Sequence, residues 1–307
     1  MLSRVAETLY WTARYVERAE NLARLVNVNN LLLMDLPKGV SPGWAPLIDI
    51  TGSRSNFDQI YSEYNEKNVL KFLTVDARNY SSIYSSLMFA RDNTRTVREV
   101  IPRQAWEIIN HAFNQIKENP NDLLNKRSRF EALKQIIDSG LLFFGALDST
   151  MNHNHLYRFT RFGSILERAD MTTRIIDVRY SVLDLPVQDK TFENIKWVSV
   201  LRSLSAYQMY RQEMGVRVKP NDVLQFLLFS PTFPRSVLFC LNHLMSLVQD
   251  FPENEGMKER IAHSIKELTS WDTNELKAQA LHDFMDEIQI DLADIHNQLA
   301  KQYFLKD

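Results

Sequence analysis

Apolar residues recur at i, i+3, i+4 and i+7 through nearly all of this chain, the spacing that collects them on one side of an α-helix. Only eight glycines occur in 307 residues, and alternating β-branched runs bounded by turn residues are scarce, so strands have little to form from. The expected fold class is all-α: one large helical bundle with an internal duplication of a multi-helix unit. The spacing predicts long helices over 3–34, 79–101, 103–118, 126–152, 157–183, 190–214, 234–250, 256–270 and 273–304.

The breaks have local causes. Pro102 after Ile101 ends or kinks a helix, because proline supplies no amide proton and crowds the preceding turn. Glu118-Asn119-Pro120-Asn121-Asp122 and Phe251-Pro252-Glu253-Asn254 read as connectors, and Ser230-Pro231-Thr232-Phe233-Pro234 parts a short helix from the next. The longest irregular stretch is 35–65, with Pro37, Gly39, Pro42, Gly43, Pro46 and Gly52 around Trp44. A loop of that length inside a compact domain is expected to be functional or disordered. No low-complexity linker splits the chain, so the expectation is one domain over 1–307, built of repeat halves near 1–150 and 151–307.

Charge narrows the partners. The 36 basic and 38 acidic residues nearly cancel, which leaves no general electrostatic footprint for nucleic acid or an anionic membrane. Cys240 lies among Leu238, Phe239 and Leu241, the setting of a buried thiol rather than a nucleophile. Arg4, Glu7, Arg14, Glu17 and Arg18 leave no apolar stretch for a secretory signal. Nothing reaches the length of a membrane span. A cytoplasmic location is expected.

One charged string occurs twice. Residues 17–28, ERAENLARLVNV, align with 167–178, ERADMTTRIIDV, at an offset of 150, about half the chain. Glu20 follows Val16 by four residues, Ala13 by seven and Leu9 by eleven, so it lies on the apolar face. Asp170 stands in the same relation to Leu166, Gly163 and Phe159. Arg24 and Arg174 each follow these acids by four, the spacing for pairing along a helix. Glu17 and Glu167 sit three residues earlier, at the edge of that face.

Burying such ions costs several kcal/mol apiece, on the order of what a hydrophobic replacement avoids, so stability alone explains them poorly. They form either an interhelix network that fixes register or a ligand pocket. A second basic helix carries Arg91 and Arg98 beside the apolar line Ile83, Leu87, Ala90, Thr94, Val97 and Ile101. These arginines either clamp a carboxylate or phosphate or line a solvated edge.

Over essentially its whole length the chain resembles the bacterial alpha-E domain family of all-helical proteins. The resemblance rests on MLSRVAETLYWTARYVERAENLARLV, on Trp44 with Pro46-Leu47, and on FLTVDARNYSSIYSSLMFARDNTRTVRE. It continues through Asp148-Ser149-Thr150-Met151, ERADMTTRIIDV, and SAYQMYR followed by PNDVLQFLLFSPTFPRSVLFCL. The family pattern has Gly-Arg before each Glu-Arg-Ala-acid segment, whereas this chain has Ala13-Arg14 and Gly163-Ser164, so the two copies need not have equivalent basic partners. The resemblance implies a bacterial setting beside a circularly permuted ATP-grasp ligase, sometimes with a transglutaminase-like peptidase, and a role in peptide-like amides.

Other chemistries find little footing. No Glu-x-x-His pair lies on the motif helices, as a helical di-metal site would need, and Arg24 and Arg174 compete for any cation at the four acids. His153 and His155 are two apart, and His282-Asp283 is too common a dipeptide to read. No glycine-rich phosphate loop and no Gly-x-Ser-x-Gly occurs. No metal or cofactor is expected.

The expected function is an accessory or substrate-binding protein that works with an ATP-grasp amide ligase, taking amino groups on carboxylates and carboxylates on arginines, as suits an amino acid or peptide. The candidate binding residues are Arg14, Glu17, Arg18, Glu20, Arg24, Arg91, Arg98, Glu167, Arg168, Asp170 and Arg174. Two alternatives stay open: an enzyme of amide chemistry using one of the acids, with a raised pKa, as general acid or base, and a non-catalytic scaffold whose charges are architectural.

Overall fold

The computed structural model describes residues 2–36, 43–183, 193–271 and 278–305, and among these it is all-α. In chain order the helices are α1 Leu2–Asp35, α2 Ala45–Ile50, α3 Arg54–Ile60, α4 Glu66–Thr74, α5 Ile83–Thr96, α6 Arg103–Glu118, α7 Asn121–Leu124 and α8 Arg129–Thr150. They continue as α9 His155–Leu183, α10 Glu193–Ser203, α11 Tyr207–Glu213, α12 Pro220–Phe229, α13 Val237–Val248, α14 Glu255–Thr269 and α15 Ala278–Leu299, with a π-helical turn over Ala300–Phe304. No described helix is long and apolar enough to cross a membrane.

The chain divides into two compact units. The first comprises Met1–Asn27, Ser53–Glu167 and Leu299–Asp307, and the second Val28–Gly52 and Arg168–Gln298. In the first, α6 packs on both α5 and α8, and α7 on α8 and α4. Its core joins Leu9, Ala13 and Val16 of α1 to Ala90 of α5, Ile109 of α6 and Phe143 and Leu147 of α8. Tyr10 of α1 and Phe159 of α9 both lie against Phe304, with ring centroids 5.3 and 5.9 Å apart. In the second unit α13 packs on α12 and α14, and α10 on α11 and α12, around Leu224, Leu227, Val237, Leu241 and Leu244. Cys240 is fully buried there.

The duplication is visible in local detail. Ser82 caps α5 by accepting from the Ser85 amide, and Ser236, 154 residues later, caps α13 by accepting from the Phe239 amide. The Ser82 amide donates to the Asn79 carbonyl at 3.0 Å, and the Ser236 amide to the Phe233 carbonyl at the same distance. Each caps the same position of a repeated turn and helix.

Two expectations change. Helix 190–214 is interrupted, because Ser205 takes a left-handed φ of 52° and ends α10. Its amide donates to Arg202 O and the Ala206 amide to Leu201 O, the paired bonds that satisfy the last carbonyls of a helix. The irregular stretch 35–65 contains α2 and α3. Pro46 sits in the first turn of α2, where a missing amide proton costs nothing, and Gly52 at φ 62° closes it. Asn65 then caps α4. These residues are helix punctuation rather than loop filler. Pro37, Gly39 and Pro42, and the expected helix starts at 190 and 273, lie outside the described residues.

Two glycines on helices separate close approach from open surface. A Cβ on Gly163 of α9 would lie 2.3 Å from the Tyr10 carbonyl oxygen, whereas one on Gly145 of α8 would meet nothing within 4 Å. Gly163→Ala is therefore expected to destabilise by about 2–3 kcal/mol or more through overpacking against backbone. Gly145→Ala is expected to stabilise by up to about 1 kcal/mol through helix propensity. Urea denaturation of the two variants checks the opposite signs.

Candidate functional site

The duplicated motif resolves into three charged assemblies. The most richly bonded centres on Glu167 of α9, which the fold brings against α1 inside the first unit. Arg14 Nε donates to Glu167 Oε2 at 2.7 Å, and Arg18 donates through Nε to Oε1 at 2.6 Å and through Nη2 to Oε2 at 2.9 Å. The Arg18 guanidinium thus meets the carboxylate as a two-pronged fork, the strongest geometry available to this pair. The arginines are themselves held. Arg14 Nη1 donates to the Tyr10 hydroxyl at 3.1 Å and its guanidinium lies over Trp11, while that of Arg18 lies over Tyr15.

Electrostatics follow from this packing. Burial pushes the Glu167 carboxyl upward, but the charges and hydrogen bonds of Arg18 and Arg14 outweigh it and hold the pKa at about 2. Burial raises the Tyr10 hydroxyl, against the opposing pull of Arg14. The expectation of a raised acid is overturned at Glu167: a carboxylate saturated by two guanidiniums stays ionised and has no proton to give near neutral pH.

The second assembly pairs Glu20 with Arg24, both buried on α1; Arg24 Nη2 donates to Glu20 Oε1, and Nη1 to Asn21 Oδ1 at 3.4 Å. Helix α8 closes over it, since a Cβ on Gly140 would meet Glu20 Oε2 at 3.0 Å. The third is the equivalent pair on α9 in the second unit, Asp170 with Arg174, joined by Nε and Oδ2 at 2.8 Å. Its side chains keep 21% and 32% of their exposure, against 1% and 7% for Glu20 and Arg24. The same i,i+4 geometry is sealed in one copy and reachable in the other.

The remaining candidates have varied settings. Glu17 is fully buried and Arg168 half-buried. Ser164, at the position of Arg14 in the other copy, is fully buried and donates to the Arg161 carbonyl of its own helix at 2.9 Å. Arg91 turns to Asn110 Oδ1 at 2.9 Å and lies over Phe113 and Trp106. Arg98 is exposed in the turn after α5. A cleft of about 360 Å³ near the start of α9 is lined by Ile101, Met151 and Asn154, among others, and includes none of the motif acids.

Sequence reading passed over a mixed cluster in the second unit. His282 of α15 lies 2.7 Å through Nδ1 from Asp177 Oδ1 of α9 and 3.7 Å through Nε2 from Asp286 Oδ2. One ligand atom from each of these residues lies within 4.8 Å of the others. The hydrogen bond to Asp177 raises the His282 pKa, and burial raises that of Asp177. The usable signal was the i,i+4 spacing of His282 and Asp286, not the dipeptide His282-Asp283.

A family model, Alpha-E, described as a predicted alpha-helical domain with a conserved ER motif, matches residues 1–304. Glu-Arg occurs here at 17–18 and 167–168, and also at 259–260. An uncharacterized protein of Mycobacterium bovis is 24% identical over 271 residues, covering 82% of this chain and 30% of that protein. An uncharacterized protein of Mycobacterium tuberculosis, strain H37Rv, is 23% identical over the same length and shares. The chain therefore spans less than a third of the length of these relatives. No solved structure matches.

Glu167→Gln leaves Arg14 and Arg18 facing a neutral amide and is expected to cost about 3–5 kcal/mol, as breaking a buried ion pair does. With its folded pKa below the unfolded value of about 4.3, Glu167 contributes stability that is present above that value and lost as pH falls toward 2. Acid-unfolding curves read by circular dichroism should therefore be shallower for Glu167→Gln between about pH 4.5 and 2.

Proposed function

Because the chain belongs to the Alpha-E family, we propose that it is a non-catalytic helical scaffold whose Glu-Arg motif fixes helix register. The observation that carries this reading is the saturation of Glu167. Both its oxygens are occupied by arginines from another helix, and those arginines are braced by aromatic rings. A carboxylate so held cannot take a substrate amine without giving up its guanidiniums. Its low pKa unfits it for proton transfer near neutral pH. The span of less than a third of the mycobacterial relatives supports a module that operates within larger assemblies.

The proposal extends to partners. The scaffold serves an ATP-grasp amide ligase, with a transglutaminase-like protein as a further associate, and holds ligase or amino-acid ligand in place rather than transforming it. A substrate-taking reading retains support at one place. Asp170 and Arg174 are partly exposed and present an acid beside a base, matched to the amino and carboxylate ends of a zwitterion.

The test replaces charge by packing. Arg14→Met, Arg18→Met and Glu167→Leu made together should retain helicity, since apolar groups of similar volume commonly replace a buried ion cluster without loss. The triple variant should also still co-purify with the ligase and support its product, followed by mass spectrometry. A folded triple variant that loses product would overturn the scaffold reading. Asp170→Asn abolishing calorimetric binding of a free amino acid would move the function to that pair.

A further inference from the structure

The mixed cluster of the second unit gathers one imidazole and two carboxylates from two helices. His282 and Asp286 stand four residues apart on α15 and therefore share a face. Asp177 approaches from α9 and is the most enclosed of the three, with 12% of its side chain exposed. Its contact with His282 Nδ1, at 2.7 Å, is an ordinary hydrogen bond. The contact of His282 Nε2 with Asp286 Oδ2, at 3.7 Å, is too long for one. It suits two atoms that share an ion, since metal–nitrogen and metal–oxygen bonds of roughly 2.0–2.2 Å at tetrahedral angles set their ligand atoms roughly 3.4 Å apart.

We propose that His282 Nε2 and Asp286 bind a first-row divalent transition-metal cation, with Asp177 as the carboxylate that orients the imidazole. A hydrogen bond from Nδ1 to Asp177 directs the Nε2 lone pair toward Asp286, the arrangement by which a carboxylate fixes a metal-bound histidine. The nitrogen ligand selects zinc, cobalt or nickel over calcium or magnesium, which prefer oxygen alone. His282 and Asp286 are each about half exposed, at 48% and 55%, so water can complete the coordination and the ion can enter. Asp283 adds negative charge beside His282 on the same helix. Arg174, the cation acting on Asp177 from α9, is engaged by Asp170 through its Nε.

Another pair shows what the arrangement adds. His263 and Glu267 also stand four apart on α14, 3.9 Å from each other, but no carboxylate from a second helix joins them within the same reach among the described residues. His263→Ala is thus the internal control.

Tag-free protein of residues 1–307 is titrated with Co²⁺, read by visible absorption, and with Zn²⁺, read by calorimetry, at neutral pH. One saturable equivalent is expected, unchanged in His263→Ala and lost in His282→Ala and in Asp286→Asn. Asp177→Asn should weaken binding about 10- to 100-fold without abolishing it, as loss of an orienting partner does. Circular dichroism confirms that each variant keeps its helicity. Absence of uptake by the unsubstituted chain, or uptake that survives His282→Ala, overturns the site. Unchanged affinity in Asp177→Asn overturns the orienting role.

Discussion

The carboxylate of Glu167, clasped by two guanidiniums from α1, is the constraint around which the first unit is arranged. An ion buried this deeply is tolerated only where donors meet both of its oxygens, and Arg14 and Arg18 do so with three hydrogen bonds. The clasp and the tightest backbone contact occur one turn apart. Tyr10 precedes Arg14 by four residues, and Gly163 precedes Glu167 by four. The Tyr10 carbonyl lies where a Cβ on Gly163 would be. Contact and clasp advance in the same sense along both helices, so a slip of either by one residue would drive a side chain into backbone and strip the carboxylate of its donors. Apolar burial supplies most of the driving force in such a core, and it is indifferent to register; the ions are not.

The two copies of the motif have taken different settings on related helices. Glu20 and Arg24 are shut beneath α8, while Asp170 and Arg174 keep contact with solvent. Where the first copy has Arg14, the second has Ser164, whose hydroxyl is satisfied by its own helix. A duplicated unit that began with two equal charge sets would divide its tasks in this way. One i,i+4 pair is enclosed, and the other keeps contact with solvent.

Much of this was legible from spacing alone. The expected helix at 103–118 has the bounds of α6, and the intrahelical pairs Glu20–Arg24 and Asp170–Arg174 form as the i,i+4 rule requires. What the sequence concealed was distance along the chain. Arg14 and Glu167 are 153 residues apart, and no local pattern marks them as partners. Nor does one mark Asp177 and His282, which are 105 apart. The stop at Ser205 was hidden for another reason: a left-handed serine has no compositional signature, whereas a glycine there would have announced the end of α10. Pro46, Gly52 and Asn65 were visible but ambiguous, since the same residues end helices and build loops.

The first unit includes residues from both ends of the sequence, with Phe304 seated against Tyr10. A ribosome releases Tyr10 almost 300 residues before the ring it packs on exists. The contact between Tyr10 and Phe304 therefore cannot form while the second unit is being synthesised. The second, whose segments end at Gln298, is synthesised before Phe304, so it has the opportunity to fold before that contact forms. On this view vectorial synthesis imposes an order of assembly: the long-range aromatic contact comes last, after Leu9, Ala13 and Val16 of α1 have had the chance to pack on α5, α6 and α8.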